Sequence, residues 1–234
     1  MKYMFFYSGG KDSLATLLLS RAQWLDGDFE VVFVDTGNHF PETYAHMEKV
    51  KRLVKNFTVL HSNCQKWQGE NGNPVDVVPT SYDKTGRFIY GAGGVQVPYV
   101  SRWDCCRANI WTPMAEYITL TRPDFVIRGD RGEEREMAPK EAEGIRMLFP
   151  IFDWSCEKVQ EFIAKEAPRF GLLEKRHMLP EGSSLDCMTC TAYNVEHKCR
   201  MAYLKEHHPA IYEANTLFFE QYKCAVFNDL KELM

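Results

Sequence analysis

The segment Ser8-Gly9-Gly10-Lys11-Asp12-Ser13 lies between the apolar, aromatic run Tyr3-Met4-Phe5-Phe6-Tyr7 and the aliphatic run Leu14-Ala15-Thr16-Leu17-Leu18-Leu19. A buried strand, a glycine turn and a helix start follow from that order. Glycines at 9 and 10 let the backbone turn its amides toward an anion at a helix N-terminus, where unpaired N–H groups and the helix dipole favour phosphate. The segment reads as a phosphate cradle at the carboxyl end of a strand.

Two commoner cradles do not fit. A Walker A loop needs a glycine five residues before the one that precedes its lysine, and that position is Phe5. A dinucleotide fingerprint reads G-x-G-x-x-G, and the later Gly91-Ala92-Gly93-Gly94 run has Gln96 where the last glycine should stand. The plain alternative is an ordinary strand-to-helix turn with Ser8 near the cap. A lysine, an aspartate and a serine packed behind the glycines argue against it.

Glu30-Val31-Val32-Phe33-Val34-Asp35 is a short apolar run of the buried-strand type, so strand, helix and strand form a βαβ unit with parallel strands. Ser8 and Asp35 both fall at carboxyl ends, where ligands of such sheets collect. Pro41 then opens a helix running to about residue 55, with Glu42 near its positive end. Further strands are expected at 57–60 and 124–128, and a loop or irregular insertion over 65–100. Helices are expected at about 155–166, 195–207 and 209–233, with a loop at 180–184. The expected fold is a Rossmann-like α/β domain over residues 1–153, its mostly parallel sheet flanked by helices, followed by a mainly helical region over 154–234.

A chain of 234 residues, 45% apolar and 26% charged, is ordinary globular composition. The net charge of −4 gives no electrostatic footprint for avid nucleic-acid binding, so composition lends no support to a nucleic-acid acceptor. No run approaches the roughly 18 apolar residues of a membrane span. The chain opens on a strand at Lys2 rather than a signal peptide, and a cytoplasmic protein with no membrane partner is expected.

Eight cysteines without a secretion signal read as metal ligands, reactive thiols or core residues rather than disulfides. Cys105 and Cys106 are adjacent, and Cys187-Met188-Thr189-Cys190 is a C-x-x-C. Four thiolates could serve zinc, but adjacent cysteines diverge in direction and suit a larger object such as a [4Fe–4S] cluster, whose ligands bind separate irons. The plain alternative is a redox dithiol at 187 and 190 beside buried thiols at 105 and 106. Cys64, Cys156, Cys199 and Cys224 stand singly, where burial is the default. Trp103 and Trp111 flank the cysteine pair and are expected to shield it.

These residues resemble the PAPS/APS reductase family, within the adenine-nucleotide α-hydrolase (PP-loop) superfamily. Ser8 to Ser13 is similar to the PP-loop, and Asp35-Thr36-Gly37 followed by Phe40-Pro41-Glu42-Thr43 is similar to the family's DTG…FPET segment. Cys105-Cys106 with Cys187-x-x-Cys190 resembles the signature of the branch that carries a [4Fe–4S] cluster. Gly129-Asp130-Arg131 resembles an anion-binding turn, and Phe149-Pro150-Ile151-Phe152-Asp153-Trp154 the PL-x-DW segment. The resemblance covers about residues 3–192.

Three departures qualify it. The family's Glu-Cys-Gly-Leu-His tail is absent, and Tyr222-Lys223-Cys224-Ala225 stands near the end instead. Asn109 and Ile110 replace a basic pair after the adjacent cysteines. Lys11 and Asp12 are kept where sulfonucleotide reductases usually lose them.

The retained lysine implies ATP, with Mg²⁺ as an aid, cleaved between its α- and β-phosphates to adenylate an acceptor before sulfur displaces AMP. In that reading Ser8, Gly9, Gly10, Lys11, Asp12 and Ser13 hold phosphates, and Asp35, Thr36 and Gly37 line the nucleotide pocket. Arg128 and Arg131 meet an anionic group, and Cys105, Cys106, Cys187 and Cys190 hold the cluster. The runner-up is reduction of adenylyl sulfate or its 3′-phosphorylated form with Cys224 or Cys199 as nucleophile. A nucleotide-binding iron–sulfur protein without catalysis is a third reading. A sulfur donor or a thioredoxin-like reductant and a homo-oligomer complete the expected partners.

Overall fold

The computed structural model describes residues 1–79, 99–134, 141–142, 144–179, 185, 187–192 and 198–231; the Gly91–Gly94 run and the 180–184 loop lie outside them. In chain order the elements are β1 (Tyr3–Phe6), α1 (Lys11–Leu19), β2 (Phe29–Asp35), α2 (Pro41–Leu53), β3 (Asn56–His61) and α3 (Cys64–Asn71). After these come β4 (Asn73–Val75), β5 (Tyr99–Ser101), α4 (Arg102–Cys106), a π-helical turn (Arg107–Trp111) and α5 (Thr112–Thr121). The rest are β6 (Phe125–Ile127), β7 (Glu141–Ala142), β8 (Ile145–Leu148), α6 (Cys156–Glu166), a 3-10 turn (Lys175–Met178), α7 (Lys198–His207) and α8 (Pro209–Lys231). Among the described residues, no helix is long and apolar enough to cross a membrane.

The chain forms two compact units. The first comprises Met1–Asp35, His39–His61 and Pro113–Glu181, the second Thr36–Asn38, Ser62–Thr112 and Gly182–Met234. This division differs from a boundary at residue 153. α6 buries Val159 and Ile163 and packs on α1, so it belongs with the sheet.

The first unit is built on a sheet of order β3-β2-β1-β6-β8-β7, in which the first five strands are parallel and β7 runs antiparallel to β8. From β1 the chain builds outward through β2 to β3, then returns to lay β6 on the other side of β1. Strand order thus reverses between β1 and β6, which is where open α/β sheets bind ligands. Continuous burial of Met4, Phe5, Val31, Val32 and Val126 fits strands covered on both faces. Leu14, Leu17 and Leu18 on α1 and Val159 and Ile163 on α6 enclose one side of the core.

In the second unit β4 and β5 pair in parallel, and Tyr99 packs against Phe218 and Tyr222 of α8. Residues 65–71, within a stretch expected to be irregular, belong to α3. Its signal is weak because only Cys64 is buried, so no apolar period appears. The Asn63 side chain caps it by accepting from the Lys66 N–H at 2.9 Å.

Gly129, just beyond β6, marks a close approach of backbone to backbone within the first unit. A Cβ there would stand 3.0 Å from the carbonyl carbon and oxygen of Asp12 and from Cα of Ser13, all backbone that cannot swing aside. Gly129→Ala should destabilise the full chain by about 1–3 kcal/mol in urea unfolding. Gly69→Ala, with nothing within 4 Å of its added methyl, should instead be neutral or stabilising by up to about 1 kcal/mol. Equal effects of the two changes would mean that the Gly129 contact does not hold the start of α1.

Candidate nucleotide and cysteine sites

The first site is the loop between β1 and α1. Gly9 adopts φ +80°, a conformation that favours glycine. Gly10 is the N-cap of α1 and supplies no side-chain cap, which leaves the first-turn amides for an external acceptor. Ser13 Oγ donates to the Gly10 carbonyl at 3.0 Å, and Ser8 Oγ donates to Ser13 Oγ at 3.1 Å, so the two serines brace the turn. The Lys11 side chain makes no hydrogen bond or ion pair among the described residues. Arg131, expected to meet a ligand anion, is wholly buried: its Nε donates to Asp12 Oδ1 at 2.9 Å and its Nη1 to Glu133. Arg128 is half-buried and pairs with Asp130 at 3.1 Å.

Against the same loop stands a polar network that motif reading missed. The buried face of α2 carries Thr43, His46, Met47 and Val50 at helical spacing. His46 Nδ1 meets Glu174 Oε1 at 3.1 Å, and its Nε2 meets the Tyr7 hydroxyl. A carboxylate can only accept, so Nδ1 carries the proton and Nε2 accepts from Tyr7. The Glu174 N–H donates to His177 Nδ1 at 3.1 Å, so His177 carries its proton on Nε2 and donates to the Gly9 carbonyl at 3.0 Å. Both imidazoles are neutral in this arrangement.

Burial, helped by the nearby Arg176 charge, lowers the pKa of both histidines, that of His177 to about 3. Burial alone would raise Glu174. Its bonds to His46 and Arg176 outweigh that and hold its carboxyl well below the usual range. Burial also pushes the Tyr7 phenol upward. Donor atoms of His46, Glu174 and His177 lie within 4.8 Å of one another, a spacing that could hold a metal ion. Each is already engaged, and Arg176 Nε donates to the same carboxylate at 2.8 Å. A guanidinium at that carboxylate opposes a second cation.

The second site lies in the other unit and consists of thiols. Cys64 and Cys105 place their sulfurs 3.8 Å apart, and Cys187 is near enough to help push the Cys64 thiol up. Thr36 Oγ1 lies 3.6 Å from Cys187 Sγ. The Cys64 thiol, with amides from Gln68 and Asn109, draws Cys105 down to about 7 despite its burial, while Cys64 is pushed up by the same pairing. Burial and the neighbouring Cys187 and Cys105 push Cys190 up to about 12. Asn109, in the π-helical turn, donates from Nδ2 to the Cys105 carbonyl at 3.0 Å. Arg200, almost wholly buried, donates to the Cys187 carbonyl at 2.6 Å and that of Met188 at 3.1 Å.

Of the four expected ligands, Cys105, Cys187 and Cys190 share this environment, and Cys106 is half-buried on α4 beside Cys105. Cys64 joins them although it stands alone in sequence. Its one signal is position, three residues past the end of β3. Trp103 and Trp111, expected to shield the pair, stack on each other at 5.9 Å and remain 51% and 43% exposed. Cys224, for which burial was the default, is exposed on α8, and Cys199 is half-buried.

The segment Asp35-Thr36-Gly37 is divided between the units. Asp35 accepts from the Tyr44 hydroxyl at 2.9 Å and lies 3.5 Å from His61. Thr36 instead faces Cys187, and its carbonyl accepts from the Cys64 N–H at 2.9 Å. Gly37 takes φ +69°.

Residues 2–193 match the family model described as the phosphoadenosine phosphosulfate reductase domain. The chain is 26% identical over 189 residues to the adenosine 5′-phosphosulfate reductase of Streptomyces coelicolor, covering 79% of this chain and 69% of that protein. It is 25% identical over 141 residues to the enzyme of the same name from Deinococcus radiodurans, covering 58% of this chain and 48% of that protein. The match thus spans about half of the Deinococcus relative. Among solved structures, the phosphate complex of phosphoadenylyl-sulfate reductase from Candida auris superposes with a TM-score of 0.47 at 16% identity, over 71% of this chain and 73% of that one.

The neutral histidines give stability a defined pH dependence. Below the unfolded pKa of about 6.5, the unfolded chain binds a proton that the native His177 refuses down to about 3. Stability should therefore fall as pH drops from 6.5, by up to about 1.4 kcal/mol per pH unit for each histidine. Urea unfolding between pH 6.5 and 5 reads this slope before most carboxylates titrate. His177→Gln should flatten it, and an unchanged slope would contradict a neutral buried His177.

Proposed function

Because the chain belongs to the phosphoadenosine phosphosulfate reductase domain family, we propose that it is a nucleotide-dependent enzyme of sulfur chemistry that binds ATP at the N-terminus of α1. The observation that carries the choice of ATP is Lys11, unpaired among the described residues beside an uncapped first turn. A lysine there is a point charge suited to β- and γ-phosphates, and first-turn amides suit a departing pyrophosphate. An acceptor oxygen bonds to the α-phosphorus as the bond to the β-phosphate breaks and pyrophosphate leaves. A sulfur nucleophile then bonds to the acceptor carbon as AMP departs with the oxygen. Mg²⁺ would arrive with the nucleotide, and Asp12 is the loop's own carboxylate.

The thiol site fits a soft metal centre: its donors are sulfurs, largely buried, with the Gln68 and Asn109 amides directed at them. Cys105, Cys106, Cys187 and Cys190 would hold a [4Fe–4S] cluster, which supplies sulfur affinity or electrons when bound. The 3.8 Å Cys64–Cys105 separation favours zinc as a second reading. Thiolates about 2.3 Å from one zinc sit about 3.8 Å apart. Iron and sulfide analysis of anaerobically purified protein decides: about four irons per chain supports the cluster, and one zinc without iron replaces it.

Reduction of adenylyl sulfate is the competing reaction, favoured by the exposure of the Cys224 thiol and by the relatives' names. Incubation with each nucleotide in turn separates the two. With ATP, water taking the acceptor's place should release AMP and pyrophosphate slowly, and ATP at 100 times its dissociation constant should stabilise by about 2.7 kcal/mol. For a chain of this size that is a melting shift of about 5–10 °C. Lys11→Met should abolish the ATP shift. Sulfite release from adenylyl sulfate with thioredoxin, lost in Cys224→Ser and without any ATP response, would establish the reductase instead.

A further inference from the structure

The Arg176 side chain is only 7% exposed, yet its donors are unequally used. Nε donates to Glu174 Oε2 at 2.8 Å and Nη1 to Thr43 Oγ1 at 2.7 Å. Nη2 is buried and, among the described residues, has no partner. A buried, charged donor left unpaired is costly, and two anchors on the other nitrogens hold the guanidinium plane so that Nη2 cannot turn away. Its direction is fixed by the glycine loop. A Cβ added to Gly9 would stand 3.6 Å from Nη2, 3.8 Å from His46 Cδ2 and only 2.8 Å from Met47 Cε. The missing side chain at position 9 is therefore what keeps the guanidinium and the loop backbone in direct apposition.

Charge points the same way. Glu174 is approached by two cations, Arg176 at 2.8 Å and Lys49 at 3.2 Å, while His46 and His177 are held neutral. The cluster retains one positive charge beyond what its carboxylate can neutralise. Arg131, the arginine that sequence comparison would nominate for an anion, is instead committed to Asp12 and Glu133.

We propose that Arg176 is an anion-binding residue of the loop, donating from Nη2 to an oxygen of a phosphate chain seated over Gly9 and the first turn of α1. Thr43 and Glu174 are its positioning residues, and His177, bonded to the Gly9 carbonyl, sets the distance between guanidinium and loop. The proposal rests on the reading of α1 as the nucleotide site. It adds a residue from the 3-10 turn Lys175–Met178, which carries no phosphate-binding motif.

Inorganic pyrophosphate, ATP and adenosine titrated into the full chain by calorimetry test it. Arg176→Met should weaken pyrophosphate and ATP at least tenfold and leave adenosine unchanged, a pattern that a general loss of structure would not give. Arg176→Lys should recover only part of the loss, because a point charge lacks the fixed fork. Thr43→Val keeps the charge and frees the plane, and should cost several-fold in pyrophosphate affinity; it carries the test if Arg176→Met does not fold. Wild-type affinity for pyrophosphate in Arg176→Met, or in Thr43→Val where that variant carries the test, overturns the role of Arg176 and leaves the nucleotide reading standing. Arg176-dependent pyrophosphate binding without any ATP binding overturns the nucleotide reading alone. A wild-type chain that binds neither overturns both.

Discussion

Arg131 carries a full charge with no exposure to water, and its guanidinium donates to Asp12 at 2.9 Å and to Glu133. A buried guanidinium is stable only while carboxylates compensate it, so losing the Asp12 contact would leave that charge compensated less fully. The turn after β6 and the first turn of α1 are therefore coupled across the point where strand order reverses. Gly129 presses the same two segments together through backbone contact. With α1 fixed at its start, Lys11 and the first-turn amides acquire a defined position, and the sheet beneath serves as their support.

A second set of constraints converges on that loop from α2 and the 3-10 turn. Tyr7, His46, Glu174, His177 and the Gly9 carbonyl form a hydrogen-bonded chain with one consistent assignment of protons. Fully satisfied buried networks of this kind specify a single geometry. At its edge Arg176 Nη2, which has no partner among the described residues, is the exception, and it lies toward the loop. The thiol site is organised differently, by amide donors to sulfur and by Arg200 on the carbonyls of the C-x-x-C turn. Asp35 and Thr36 are consecutive in the chain, yet one bonds within the sheet unit and the other to Cys187.

Much of this was legible in the sequence because contiguous patterns encode it. The apolar runs flanking Ser8–Ser13 gave β1 and α1, Pro41 marked the start of α2, and the paired cysteines pointed to a thiol site. The polar network was not legible, since Tyr7, Thr43, His46 and Glu174 to His177 come from three separate segments whose spacing matches no motif. Cys64 was obscured in the same way, and α3 with it, because one buried residue in eight produces no periodicity. Trp103 and Trp111 show what proximity in sequence does not convey: the two rings stack on each other and each keeps about half of its surface exposed.

The central claim is that the first turn of α1 and the glycine loop bind a phosphate chain. Backbone amide chemical shifts of the isotopically labelled chain, followed during titration with inorganic pyrophosphate, test it most directly. Saturable shifts largest at Gly9, Gly10, Lys11, Asp12 and Ser13 are expected. Shifts confined to other segments, or none up to millimolar pyrophosphate, would contradict it.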